Sequence, residues 1–377
     1  MSMQSGSFLK SREIAARCVN KIKKLSANFD RLRLMHVCGT HEDTITKYGI
    51  RELLPSNIEV VSGPGCPVCV TTEGEIDEAI KAAEHATVTT FGDLMRVPSS
   101  SGRSLSDAKA DGFDVRVVYS IYDAIGIARS NKDIEVVHIG IGFETTAPST
   151  ASVFLGDEKE NLPGNFSVLS CHRVIPPAMD ALVAPAGEGT NGQEPGTGMR
   201  IDGFIDPGHV STIIGVKAYE EIGNKYKIPQ VIAGFEPLDV LFAILMLVEM
   251  IGQRDFSVRN EYIRAVSYEG NKKALKAMDD VFERCALEWR GFPQIPGSGL
   301  KLRENFSVYD ARERFDIKVE KSGKTARGCR CADVLKGLIS PDGCPLFGKA
   351  CTLENPVGAC MVSSEGSCGI WYKYGKI

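Results

Sequence analysis

Five short apolar runs, each ending in a glycine turn that carries polar or thiol groups, constrain this chain more than any other feature. RLRLMHV (31–37) runs into Cys38-Gly39-Thr40-His41, IEVVS (58–62) into GPGCPVC (63–69), and ATVTT (86–90) into Phe91-Gly92-Asp93. IEVVHIGI (134–141) runs into Gly142-Phe143-Glu144-Thr145, and PQVIA (229–233) into Gly234-Phe235-Glu236-Pro237. Helix-like stretches follow the turns, such as EGEIDEAIKAAEH at 73–85. A β-rich run, a glycine turn and a helical period in that order predict βα alternation. The fold class is therefore α/β, with parallel sheets covered by helices on both faces. Ligands of such sheets bind beyond the carboxyl ends of the strands, which is where all these turns lie.

The two Gly-Phe-Glu turns, at 142–144 and 234–236, suggest two similar Rossmann-like lobes. We place them at 1–155, with the CGTH and CPVC loops, and at 156–300, with N-terminal segments free to cross between them. APAGEGTNGQEPGTG (184–198) reads as a surface loop or hinge. No G-x-G-x-x-G opens any of the helices, which argues against dinucleotide binding. A net charge of −4 gives no electrostatic basis for binding nucleic acid or a membrane surface. The N-terminal MSMQSGSFLKSREIAAR has no apolar signal core, and the apolar run Val240 to Met250 is interrupted by Glu249 and too short to span a bilayer. A cytoplasmic protein is expected. In a reducing compartment the 12 cysteines do not suggest a disulfide framework, so the clustered ones point to metal or thiol chemistry. Cys18, Cys171 and Cys285 stand alone and read as packing residues.

Residues 301–377 differ in kind. Six cysteines, at 329, 331, 344, 351, 360 and 368, fall within forty residues that hold few apolar side chains for a core of their own. Such a segment needs a staple, and in a reducing setting a metal serves. The stretch has no histidine, and the gaps between its cysteines (one, twelve, six, eight and seven residues) are irregular, which disfavours zinc knuckles. A [4Fe–4S] cluster tolerates loop spacing and takes four thiolates, leaving two of the six spare. The lone C-x-x-C at Cys66 and Cys69 admits three uses: a redox dithiol, an iron anchor or half a zinc site. A Pro-containing C-x-x-C turn opening a helix favours the redox dithiol, through a depressed thiol pKa.

The motifs MHVCGTHEDTI, GPGCPVCVT, TFGDLMRVPSS, GFETTAP, GFIDPGHVSTIIG, VIAGFEPLDVL and CPLFGKACTLENPVGACMVSSEGSC together resemble the HypD family of hydrogenase-maturation scaffolds. The resemblance covers nearly the whole chain in the family's order. It implies two Rossmann-like domains and a cluster-bearing tail similar to ferredoxin:thioredoxin reductase. The implied activity is assembly of the Fe(CN)2CO unit of [NiFe] hydrogenase, on a scaffold more than on a conventional turnover enzyme. The implied partners are a small HypC-type chaperone and a HypE-type cyanide donor. Cys38 and His41 become the thiolate and imidazole that hold iron carrying CN and CO, with Cys66 and Cys69 as redox support. Iron with strong-field ligands suits such a donor pair. Cys331, Cys344, Cys351 and Cys368 match the family's cluster ligands, which sets Cys329 and Cys360 aside as the spare pair. Glu144, Thr145, His209, Glu236 and Glu365 stand where partners of iron or cyanide would be useful, with helix capping or loop bonding as the plain alternative. His36, inside a strand, is read as a core residue. The rival functions are an iron–sulfur thiol oxidoreductase acting on a protein disulfide, and an interaction module with a structural cluster.

Overall fold

The computed structural model describes residues 2–184, 200–319 and 328–375. Nearly all of the stretch expected to form a loop or hinge, from 185 onward, lies outside the described residues. Nine strands build two sheets: β1 (Leu32–His36), β2 (Ile58–Ser62), β3 (Thr87–Thr90), β4 (Val115–Val117), β5 (Val136–Gly142), β6 (Phe166–His172), β7 (Gly203–Asp206), β8 (Gln230–Ile232) and β9 (Val258–Asn260). One sheet has the order β2-β1-β7-β8-β9 and the other β4-β3-β5-β6. Every pairing within them is parallel. β10 (Phe282–Glu288) and β11 (Gln294–Leu302) form an antiparallel hairpin beside β6. The protein is a mixed α/β fold with Rossmann-like parallel sheets, as the alternation predicts.

The sheets do not divide at residue 155. β1, with β2 paired on its outer side, leaves the first segment and pairs with β7, which joins β8 and β9, while β6, from the second segment, closes the other sheet on β5. The physical reason is that parallel strands buried on both faces read as continuous apolar runs, and such runs carry no information about which strand is the neighbour.

Helix starts follow local chemistry. Thr72 and Glu75 form a reciprocal capping box on Glu73–Ala82, the helix expected after the thiol turn. The apolar helix Pro237–Gln253 packs on Ser2–Ser26 over the first sheet. Among the described residues no helix is long and apolar enough to cross a membrane. The C-terminal segment is irregular, with short helices at Cys331–Leu335, Ala359–Val362 and Ser367–Tyr374. Among the described residues it has no separate core. Cys331, Val334, Leu335, Cys351, Cys360, Met361 and Cys368 join the central apolar cluster that also holds Met35, Cys66 and Cys69.

Candidate metal centre and thiol cleft

Cys38 leaves β1 in extended conformation and caps the helix Gly39–Lys47. Burial pushes its thiol up to about 11, opposed by the nearby His41 and Thr40 backbone N–H groups, while Glu365 adds an unfavourable charge. Two glycines let other loops close on it. A Cβ at Gly65 would lie 2.1 Å from the Cys38 nitrogen, and one at Gly39 would lie 2.5 Å from the Glu365 carbonyl oxygen. The Gly39 N–H donates to the Gly65 carbonyl at 3.1 Å. The CGTH loop, the thiol turn and the tail loop at Glu365 thus pack backbone against backbone, a contact that any side chain would block.

A cleft of about 260 Å³ opens at this junction, with Cys38, Thr145, His209, Asp93 and Glu365 on its walls. Gly65, Pro67 and Val68 bring the thiol turn to its edge. Behind them Cys66 and Cys69 are joined as a buried disulfide with Cα atoms 5.3 Å apart. Asp93, from the Phe-Gly-Asp turn, accepts hydrogen bonds from Ser363 Oγ at 3.1 Å and from Ser364 Oγ at 2.8 Å, which fastens the tail loop over the cleft.

His41 does not line the cleft. Its ring is buried, and Nε2 donates to the carbonyls of Gly234 at 3.0 Å and Ala233 at 3.3 Å. Nδ1 has no hydrogen-bond partner, and burial lowers the imidazole to about 3, so the ring is neutral with one free lone pair. Phe235 lies between it and His209, with ring centroids 5.4 Å and 3.9 Å away respectively. Glu144 also sits behind the wall. One oxygen accepts the Ile175 N–H at 3.0 Å, the other has no partner, and burial raises the carboxyl to about 7. Glu236 begins the helix Pro237–Gln253, its N–H donating to Asp239 Oδ2 at 3.1 Å; the plain capping alternative describes its place.

The tail thiols form a second group. Cys329, Cys331, Cys344, Cys351, Cys360 and Cys368 all line one small chamber with Leu346, Phe347 and Met361. The sulfurs of Cys331 and Cys360 are 2.6 Å apart, whereas the sequence reading sets Cys329 aside with Cys360. The chamber touches both loops of the cleft: the helix carrying Cys360 packs on Pro67–Val70, and the helix carrying Cys368 packs on Gly39–Lys47. Among the described residues no group of three or more His, Cys, Asp or Glu side chains is set to hold a single metal ion.

The HypD family model, described as a hydrogenase formation family (hypA), matches residues 13–375. The chain belongs to the HypD family. A Methanocaldococcus jannaschii protein named for hydrogenase expression and formation is 47% identical over 98% of this chain and 99% of its own length. The hydrogenase maturation factor HypD of Cupriavidus necator is 44% identical, with 97% of this chain and 95% of that protein covered. The HypD of Azotobacter vinelandii is likewise 44% identical, over 97% of this chain and 94% of its own.

Two polar residues of this HypD-family chain escaped the sequence reading. Asp206, at the end of β7, is fully buried with no partner for either carboxyl oxygen, and burial raises it well above the carboxylate range. Glu42 is buried under the Cys38 helix; burial opposes its charge, but Arg51 and His36 hold its carboxyl well below the usual range. In sequence it looks like an exposed helix acid. The signal that could have found it is its position four residues after Cys38, on the helix face that carries the loop.

Proposed function

We propose that this chain is a scaffold on which the Fe(CN)2CO unit of [NiFe] hydrogenase is assembled, with the iron as cargo at Cys38. The observation that carries the reading is the meeting of three loops at one sulfur: the Cys38 helix start, the Cys66–Cys69 turn and the tail loop at Glu365. His41 is the second donor read from the sequence; its ring is held behind the wall by the Ala233 and Gly234 carbonyls, so it joins the iron through its free Nδ1 only if the ring turns into the cleft. Two donors from the chain leave iron positions for diatomic ligands and for a side chain from a HypC-type chaperone, with cyanide arriving from a HypE-type partner. Iron binding releases the Cys38 proton, because the ligand is the thiolate. The Thr40 and His41 N–H groups lower the cost of that charge.

Cys66 and Cys69 supply redox support: the disulfide takes up two electrons and two protons to become a dithiol. The tail chamber fits an iron–sulfur cluster by its donor chemistry, since it is lined by thiols and apolar groups without histidine or carboxylate. The sequence reading gives Cys331, Cys344, Cys351 and Cys368 as the cluster's ligands; the 2.6 Å approach of Cys331 to Cys360 favours Cys329 in place of Cys331. A bound [4Fe–4S] cluster supplies one-electron exchange. A second reading, an iron–sulfur thiol oxidoreductase, draws on the packing of the Cys360 helix on the Cys69 helix. It has no use for Cys38.

Infrared spectra of the anaerobically purified chain with its small partner separate the two. Metal-bound CO and cyanide bands are expected in the wild type. In Cys38→Ser they disappear while the visible absorbance of the tail cluster stays. Retention of the bands in Cys38→Ser overturns the cargo assignment.

A further inference from the structure

Glu42 gathers donors from β1, the end of β2, its own helix, the helix Ile50–Leu53 and the C-terminal helix. Its Oε2 accepts from His36 Nε2 on β1 at 2.7 Å, from Ser62 Oγ at the end of β2 at 2.5 Å and from Arg51 Nη2 at 2.8 Å. Its Oε1 accepts from Arg51 Nη1 at 2.7 Å, from Thr46 Oγ1 at 2.5 Å and from Trp371 Nε1 at 2.8 Å. These donors stand next to the chemistry. Ser62 directly precedes the thiol turn, Trp371 follows Cys368 by three residues, and the other ring nitrogen of His36 lies 3.1 Å from the Cys38 carbonyl. Arg51 also stacks over the Trp371 ring at 5.2 Å. A buried carboxylate with all its acceptor sites filled costs much to desolvate and holds its donors in one arrangement. The C-terminal helix is joined to Glu42 by one hydrogen bond, from Trp371 Nε1, so this network is complete only when that helix is docked.

We propose that Glu42 is a positioning residue that couples docking of the tail helix to the stance of the Cys38 loop. The proposal rests on Cys38 as the cargo thiol for its meaning, but the coupling is tested without iron. The experiment is the alkylation rate of Cys38 in the full-length chain, resolved by peptide mapping, in wild type, Trp371→Phe, Glu42→Gln and the double variant. Cys38 is buried, so labelling passes through local opening, and losing a charge-assisted hydrogen bond shifts that opening by about tenfold. Trp371→Phe, which keeps the ring and removes the donor, is expected to speed Cys38 labelling by about that factor. Cys18, buried in a different apolar cluster, keeps its wild-type rate. The double variant is expected to label more slowly than the product of the two singles, because Glu42→Gln already weakens the charge-assisted bond that Trp371 donates. An unchanged Cys38 rate in Trp371→Phe overturns the proposal, as does a parallel rise at Cys18 or a double variant equal to the product of the singles. If Glu42→Gln does not fold, Trp371→Phe with its Cys18 control decides alone. A coupling that holds while Cys38→Ser keeps the diatomic bands removes the cargo assignment and leaves Glu42 in place.

Discussion

The cleft and the tail chamber both bury thiols, and they do it in opposite ways. Around Cys38 the protein is finished before any metal arrives: parallel strands end in register, Gly39 and Gly65 admit backbone contacts, and helix N–H groups lie near the sulfur. The described part of the tail has six thiols around one chamber, short helices and no core beyond what it borrows. One region is organised by its fold and spends little of its stability on the ligand. In the other, under the proposed function, a bound cluster would complete the structure. A change of cysteine should therefore cost function in the first and structure in the second.

The largest effect expected from that contrast is in the tail. Cys351→Ala should lose the cluster and loosen the segment after Leu335, costing about 3 kcal/mol or more, the scale of losing a cross-link in a small segment. Cys38→Ser should remain folded, with its thermal midpoint within a few degrees of wild type. Equal destabilisation of the two variants in anaerobic thermal scans would break the comparison. A finer test lies inside the chamber. If Cys331 and Cys360 are the paired sulfurs, Cys329→Ser should lower bound iron sharply, while Cys331→Ser retains most of it; the opposite ranking of iron content would restore the ligand set read from the sequence.

How much of this was legible depends on the kind of pattern involved. Runs such as IEVVS and IEVVHIGI announce strands because buried parallel strands are apolar throughout, and β2 and β5 fall where they stand. FSVLSCH (β6), GFID (β7) and VRN (β9) are too polar or too short to stand out, so the crossing allowed for the N-terminal segments had no visible destination and the crossing of β6 was not read at all. The turns were legible as a site because the topology puts strand ends on one side. Side-chain direction was not. Spacing placed His41 beside Cys38, but it could not show that carbonyls from β8's end hold the ring behind the wall. Likewise Glu42 and Trp371 are 329 residues apart and meet only in the fold.

The smallest predicted effect sharpens the claim that the cleft's frame is organised in advance, because such a frame can hold an acid away from its ordinary pKa. Glu144 is buried, and its carboxyl is raised from 4.5 to about 7. The folded state then binds its proton more tightly than the unfolded chain does, so this group contributes its full stability below pH 4.5 and loses it as pH rises towards about 7. The loss is about 2 to 3 kcal/mol across that window. Glu144→Gln cannot ionise and keeps an oxygen for the Ile175 N–H, so it lacks this dependence. Chemical denaturation at pH 5 and at pH 8 should show the variant gaining on wild type at the higher pH. A difference between the two proteins that stays constant over this range would mean that Glu144 meets water or a cation in the folded state, and that the frame behind the cleft is less closed than the tail chamber.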